Sequence, residues 1–376
     1  MKANYLLISL ATTMLLAVSS CTKDKLIESN VKTAEDEQNR NYEDFLCSLG
    51  INYDSLKVID DHIYAADFIV SNPTLETRTS VDYSNYVISR ANSGSIPYYI
   101  HPDIDNLPGG DWKTAVRDAF AAYTSLSNCS LSFYEVSSPT SNGINVIERL
   151  SNYPNCLGGN SWFGQAYFPI GNKIGNILGL NNVTLSNNST CWNYSEKVTV
   201  VKHEIGHTLG LGHTGSTGTA GGSCSPAILS TFIGTSSTDN NELMQGSWDN
   251  CGLTRSLSQN ESYALQFLYP DFLPNYPIGR IYEEVNPIGS NYNWIIDIQI
   301  SSNSKPCFID FIFEGVTNPS FSVTRTGYYF RPGNSNIYRT SIKNVPAGTY
   351  KVSARYYNYK RDYHTTSSNS LTRAIP

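Results

Sequence analysis

The chain has 376 residues, of which 40% are hydrophobic and only 15% charged, and its formal net charge is −6. That length admits two or three domains, and the composition suits a chain that buries a core rather than a disordered one. The acidic balance, with no lysine- or arginine-rich stretch, excludes a basic nucleic-acid-binding surface, so no nucleic-acid partner is expected.

The first residues bear on compartment. Lys2 supplies a short positive segment, and Leu6 to Val18 is apolar with interruptions at Ser9, Thr12 and Thr13; Ser19, Ser20 and Cys21 follow. This apolar run is too short to cross a bilayer comfortably and reads as an export signal over residues 1–20. Val18-Ser19-Ser20-Cys21 resembles the lipobox of bacterial lipoproteins. In that family the cysteine becomes the lipidated first residue of the mature chain. The resemblance implies a membrane partner through lipid on Cys21 and a place in the cell envelope, at the outer membrane or cell surface. The alternative is a plain signal peptide cut nearby, with Cys21 unmodified. No later segment has about 18 uninterrupted apolar residues, so the remainder is expected to be soluble. Seven further cysteines remain: Cys47, Cys129, Cys156, Cys191, Cys224, Cys251 and Cys307. Export admits disulfides, and the odd number leaves one thiol over. None forms a CxxC pair, which argues against a cysteine-based zinc site.

Residues 21–40 are polar and charged and read as a solvated tether. Residues 41–95 read as a pro-like segment and linker. Within them a helix is expected over Tyr42 to Leu49 and a strand over Ile63 to Val70, and residues 71–95 have the composition of an exposed linker. A new pattern starts at Ile96. Strands are expected at Ile96 to Ile100, Ser132 to Val136, Ile144 to Glu148, Gly164 to Pro169 and Asn176 to Val183. Asp111 to Leu126 reads as a helix with Val116, Phe120 and Tyr123 at helical spacing. Ser195 to Leu209 reads as a second helix with Ser195 as N-cap, followed by a Gly/Ser/Thr-rich loop from Gly215 to Asn241. Ser258-Gln259-Asn260-Glu261 is a capping-box sequence opening a third helix, which Pro270 stops. After Pro277 the period changes to two. Trp294, Ile296, Ile298 and Ile300 alternate with polar or outward positions, as do Tyr350, Val352, Ala354 and Tyr356. This predicts a small all-β sandwich over 273–376.

The chemistry is concentrated in His203-Glu204-Ile205-Gly206-His207-Thr208-Leu209-Gly210-Leu211-Gly212-His213. His203 and His207, four apart, share one face of a helix, where two imidazoles can hold one zinc ion. Glu204 beside them can hold the water that such an ion activates. Gly210 lets the chain leave the helix in a conformation costly for other residues, so that His213 can return as a third ligand. A fourth position then stays open for water or a substrate carbonyl. The chain has six histidines and three lie in this stretch, so the cluster is not a by-product of a His-rich composition.

HExxHxxGxxH is the metzincin zinc signature, and His203-Glu204-Ile205-Gly206-His207 resembles the dual-action HEIGH metallopeptidase family. The resemblance covers about residues 96–272 and implies an α+β fold: a twisted mixed sheet, the zinc helix and a C-terminal helix. It implies one catalytic Zn2+ and Glu204 as general base. Metzincins carry a Met-turn below the zinc, and Met244, the one methionine beyond the signal segment, is the candidate. Gly246 stands where some metzincins carry a zinc-approaching tyrosine, so a tyrosine switch is not expected. Gly164, Gln165, Ala166 and Tyr167 resemble the edge strand to which a peptide substrate adds in extended form; the other reading is a buried hairpin strand. Pairing Cys156 with Cys191 and Cys224 with Cys251 would staple the cleft loops, although other pairings are equally legal. Cys47 or one of Asp54, Asp60, Asp61 and Asp67 is available to block the metal in a zymogen, against a structural or free thiol and solvated carboxylates. No EF-hand spacing appears, so calcium is left open, as is oligomeric state. The expected activity is a secreted, lipid-anchored zinc endopeptidase acting on protein or peptide substrates. The alternative is a surface-binding lipoprotein with a vestigial zinc site, whose sandwich binds a ligand.

Overall fold

The computed structural model describes residues 56–59, 62–65, 68–71, 87–148, 163–188, 192–213, 242–244, 254–301, 307–330 and 336–376. In chain order these form β1 (Leu56–Ile59), β2 (His62–Ala65), β3 (Phe68–Ser71), α1 (Arg90–Ser93), β4 (Ile96–Ile100), α2 (Trp112–Thr124), β5 (Phe133–Val136) and β6 (Ile144–Glu148). Then come β7 (Gly164–Tyr167), β8 (Ile177–Leu180), α3 (Asn182–Asn187), α4 (Tyr194–Thr208) and α5 (Gln259–Leu268). The remaining strands are β9 (Ile278–Ile288), β10 (Asn291–Ile300), β11 (Cys307–Gly315), β12 (Ser322–Phe330), β13 (Ile337–Val345), β14 (Gly348–Tyr357), β15 (His364–Thr366) and β16 (Leu371–Ile375). No described helix is long and apolar enough to cross a membrane.

The result is a mixed α+β architecture with several sheets. The first sheet has the order β1-β2-β3-β7-β8-β6-β4-β5. β5, β4, β6 and β8 run parallel, and β7 is antiparallel to β8. α2 packs its apolar stripe, Trp112, Ala115, Val116, Ala119, Phe120 and Tyr123, into the core that this sheet shares with α4 and α5. The i, i+3, i+4 recurrence of that stripe is what makes it a helix with one buried face. α4 is buried over nearly its whole length, so its charged residues need internal partners. Lys197 finds them in the carbonyls of Gly109 and Gly110, and Lys202 in that of Arg255.

Three local readings need correction. The strand expected over Ile63 to Val70 is two strands, β2 and β3, which with β1 make an antiparallel meander. The N-cap of α4 is Asn193 rather than Ser195. Asn193 Oδ1 accepts from Glu196 N at 3.1 Å, and Glu196 Oε2 accepts from Asn193 N at 2.6 Å. Asn193 wins because it has a glutamate three residues on, which closes a capping box; Ser195 does not. The exposed linker expected over 71–95 does not extend over Val87 and Ile88; residues 72–86 lie outside the described residues. Val87 and Ile88 are buried, and Ile88 N donates to Tyr269 Oη at 3.3 Å.

The C-terminal strands form a β13-β10-β9 sheet and a second sheet, β12-β11-β14-β15 with β16 also on β14. Trp294, Ile296, Ile298 and Ile300 of β10 share one core with Ile309, Phe311 and Phe313 of β11 and with Tyr350, Val352, Ala354 and Tyr356 of β14. The β14–β15 turn docks on the first unit. Tyr359 N donates to Phe267 O, Lys360 Nζ to Val87 O, and Asp362 Oδ2 accepts from Arg90 N.

Candidate metal centre

α4 carries His203, Glu204 and His207, and its end is built to return the chain. Gly210 adopts φ +88°, the left-handed region open to glycine. Gly210 N donates to His207 O at 3.0 Å and Leu211 N to Gly206 O at 2.9 Å, which satisfies the last helical carbonyls. Tyr269 Oη donates to Leu209 O at 2.6 Å and pins the same end. This turn aims Leu211 O back at the helix and brings His213 over it.

The three imidazoles then converge. Their metal-binding atoms all lie within 4.8 Å of one another, and all three rings are buried. His203 Nε2 lies 3.1 Å from His207 Nε2 and 3.3 Å from His213 Nε2. Two nitrogens each bonded to one tetrahedral zinc ion stand about 3.3 Å apart, given Zn–N bonds near 2.0–2.1 Å. Nδ1 of His203 lies 2.8 Å from Leu243 O and Nδ1 of His207 2.8 Å from Leu211 O. A carbonyl only accepts, so each Nδ1 carries the proton and each Nε2 offers its lone pair. Two lone pairs 3.1 Å apart repel unless a cation lies between them. The donor set therefore fits a zinc ion by spacing, by tautomer and by ligand type.

Glu204 is buried beside this cluster. Gly164, at the start of β7, lies directly against its carboxyl group: a β-carbon at residue 164 would fall 2.7 Å from Glu204 Cγ and Oε1. The Phe168 ring lies 5.7 Å from that of His207. Met244 is buried under the helix, and a β-carbon at Gly206 would fall 2.4 Å from its sulfur. The sequence thus brings together His203, Glu204, His207, His213, Met244 and Gly164 as a single site.

β7 itself differs from expectation. It is not an edge, because β3 pairs with it in parallel on the side away from β8, with Phe68 opposite Ala166 and Ile69 opposite Tyr167. The expected edge strand Gly164, Gln165, Ala166 and Tyr167 is covered by a strand of the chain's own N-terminal part. A pairing between residues so distant in sequence leaves no local signal. Cys21, Cys47, Cys156, Cys191, Cys224 and Cys251 lie outside the described residues, as do Asp54, Asp60, Asp61, Asp67 and Gly246. The free thiols Cys129 and Cys307 are both raised by burial, Cys129 to about 12, so neither is a ready metal ligand.

Sequence reading missed the carbonyls of Leu243 and Leu211, which orient the ligands, because backbone atoms carry no residue-type signal. It also missed the second bond of Glu261, whose Oε1 accepts from Met244 N at 2.7 Å.

Parts of the chain are similar to known proteins. A stretch of 141 residues is 28% identical to karilysin of Tannerella forsythia, covering 35% of this chain and 28% of karilysin. The chain thus spans well under half the length of that relative. Among solved structures, catalytically inactive OgpA of Akkermansia muciniphila, in complex with an O-glycopeptide, aligns over 80% of this chain and 96% of its own at 8% identity and TM-score 0.26. A superoxide reductase of Ignicoccus hospitalis aligns over 27% of this chain and 79% of its own at 11% identity and TM-score 0.19. Neither overlap is close enough to carry an argument. The family model of the matrixins, zinc-dependent metallopeptidases, matches residues 90–222, the span that holds His203, Glu204, His207 and His213.

Proposed function

We propose that this chain is an exported zinc endopeptidase of the metzincin class, close to the HEIGH type, anchored to the cell envelope through lipid on Cys21. The observation that carries the reading is the convergence of three imidazole Nε2 atoms, two of them with their Nδ1 protons committed to carbonyls, beside a buried glutamate.

His203, His207 and His213 would hold the ion. Zinc, when bound, supplies Lewis acidity that acidifies a water and polarises the scissile carbonyl. Glu204 accepts the proton of the attacking water and returns it to the leaving amine nitrogen. Gly164 leaves room for that carboxyl group, and Met244 supports the helix beneath the ligands. The substrate is an extended protein or peptide segment that pairs with β7. β3 occupies that position in the described chain, so the β1–β3 meander acts as the latency element and must leave before substrate can add. Residues 41–86 then serve as a pro-segment, and 87–272 as the catalytic unit that precedes the β-sandwich.

The test is a comparison of wild type with Glu204→Gln on an unfolded protein substrate, with zinc content measured in both. The variant keeps its zinc and loses activity by about 10² or more. Activity near wild type would sink the mechanism. A wild type that binds zinc without turnover would favour a binding lipoprotein with a vestigial centre.

A further inference from the structure

Glu261 uses one buried carboxylate at two places. Its Oε2 accepts from Ser258 N at 2.7 Å, while Ser258 Oγ accepts from Glu261 N at 3.0 Å, which closes the capping box of α5. Its Oε1 accepts from Met244 N at 2.7 Å. Capping a helix needs only the first of these bonds. The second reaches across to the turn beneath the histidines.

The N–H of Met244 and the C=O of Leu243 are the two ends of one planar peptide group. Leu243 O accepts from His203 Nδ1 at 2.8 Å. An unbroken line therefore runs from the Glu261 carboxylate, through one rigid peptide, to the imidazole of His203. From the other flank Arg255 Nη1 donates to Glu242 O at 3.1 Å, and Arg255 O accepts from Lys202 Nζ at 2.9 Å, which ties the turn to α4.

We infer that Glu261 is a positioning residue for the metal centre, acting on His203 through the Leu243–Met244 peptide. The inference rests on the zinc reading above. Two physical effects follow from the geometry. A carboxylate on the N–H end fixes the tilt of the peptide plane and hence the direction of the carbonyl that orients the imidazole. It also polarises the peptide, so the carbonyl accepts more strongly and the Nε2 lone pair becomes a better donor. Metal-ligating histidines often hand their second N–H to a carboxylate or to a carbonyl. Here a carbonyl receives it and a carboxylate stands behind that carbonyl.

Glu261→Gln separates this role from helix capping. The amide offers one oxygen, so one of the two backbone N–H groups must face an NH2. Ser258→Ala removes the hydroxyl cap and leaves the Glu261–Met244 bond in place. Zinc affinity of the full chain is measured by competition with a chromophoric chelator. The His203 Nδ1 proton is followed by NMR, and thermal midpoints are recorded alongside. Glu261→Gln weakens zinc binding by about 10- to 100-fold, the usual cost of removing an outer-shell partner, and shifts the Nδ1 proton. Ser258→Ala lowers the thermal midpoint but leaves zinc affinity and the Nδ1 signal as in wild type. Should Glu261→Gln fail to fold, Glu261→Asp keeps the charge but is a methylene too short to span both N–H groups, and it carries the same comparison. Wild-type zinc affinity and Nδ1 signal in a folded position-261 variant overturn the inference while leaving the zinc reading standing. A wild-type chain that binds no zinc overturns both.

Discussion

Gly164 faces Glu204 with no room for a side chain: a β-carbon at residue 164 would fall 2.7 Å from Glu204 Oε1. The group that would have to give way is the outer part of a side chain rather than backbone. A small side chain at 164 therefore costs little stability but moves the carboxylate proposed as the proton acceptor. Gly164→Ala is expected to keep its zinc and nearly its thermal midpoint while kcat/KM falls by about 10², the cost of an ångström-scale misplacement. Peptide turnover measured beside zinc content checks this. Wild-type turnover would mean that the position of Glu204 is not what the reaction depends on.

Gly206 and Met244 meet in a similar way beneath the ligands, but there the crowding falls in the packed interior. A β-carbon at 206 would lie 2.4 Å from Met244 Sδ and 3.3 Å from Tyr123 Oη. Tyr123 Oη also donates to Lys202 O at 2.7 Å, so it has little freedom to retreat. An alanine in mid-helix ordinarily gains about 0.5–1 kcal/mol over glycine. Here overpacking reverses the sign, and Gly206→Ala is expected to destabilise by about 1–3 kcal/mol. Combining it with Met244→Ala should recover part of that loss, because the second change opens the space the first one fills. Chemical denaturation of the two singles and the double measures the coupling, and strict additivity would contradict the contact.

The metal cluster was legible because its signal is local. One helix turn separates His203 from His207, and Gly210 is the residue that the left-handed exit to His213 requires. The α5 capping box and the alternation of β10 were readable for the same reason, each resting on a few adjacent residues. The cap of α4 also carries a local signal, since Asn193 and Glu196 have capping-box spacing, but Ser195 two residues on is an equally good cap type. What could not be read is long-range. Neither the β3 pairing on β7 nor the docking of Arg90 against Asp362 has a sequence pattern, because each depends on where the fold brings distant segments.

Removing the metal should cost stability as well as activity. Three buried imidazoles gathered within 4.8 Å are compatible with the native packing chiefly when a cation lies among them. Saturating zinc is expected to stabilise the chain by about 4 kcal/mol at a free concentration near 1,000 times Kd. Chelation should lower the thermal midpoint and abolish turnover, and added zinc should restore both. His213→Ala should remove the zinc-dependent shift. A midpoint indifferent to chelator in the wild type would exclude a stoichiometric metal at this site.

The parallel pairing of β3 on β7 makes a prediction about activation, in which the order of cutting matters. Arg78 and Arg90 are the basic residues between β3 and β4. Arg78 lies in a stretch whose composition reads as an exposed linker, whereas Arg90 is held on three sides. Its backbone N donates to Asp362 Oδ2 at 3.1 Å, its guanidinium donates to Asp271 O, and that group stacks 4.2 Å over the Tyr363 ring. A protease needs an extended, accessible backbone, which Arg90 in α1 does not offer. Limited trypsin is therefore expected to cut the native chain at Arg78 and to spare Arg90. That cut severs the covalent link between the β1–β3 meander and the proposed catalytic unit and leaves Val87 and Ile88 attached to the latter. Once the meander dissociates, β7 becomes a true edge with unpaired backbone groups, open to a substrate strand. Turnover should rise by about tenfold or more, the factor expected if β3 holds the strand at least nine-tenths of the time. Ile69→Pro tests the same contact without a protease, since proline disfavours a strand flanked on both sides, and it should raise turnover of the uncut chain. Mass measurement of the fragments fixes the cut site, and kinetics on a short peptide follow the activity. Cleavage at Arg90 in the folded chain would contradict the docking of α1, and equal turnover before and after loss of the meander would contradict its role in latency.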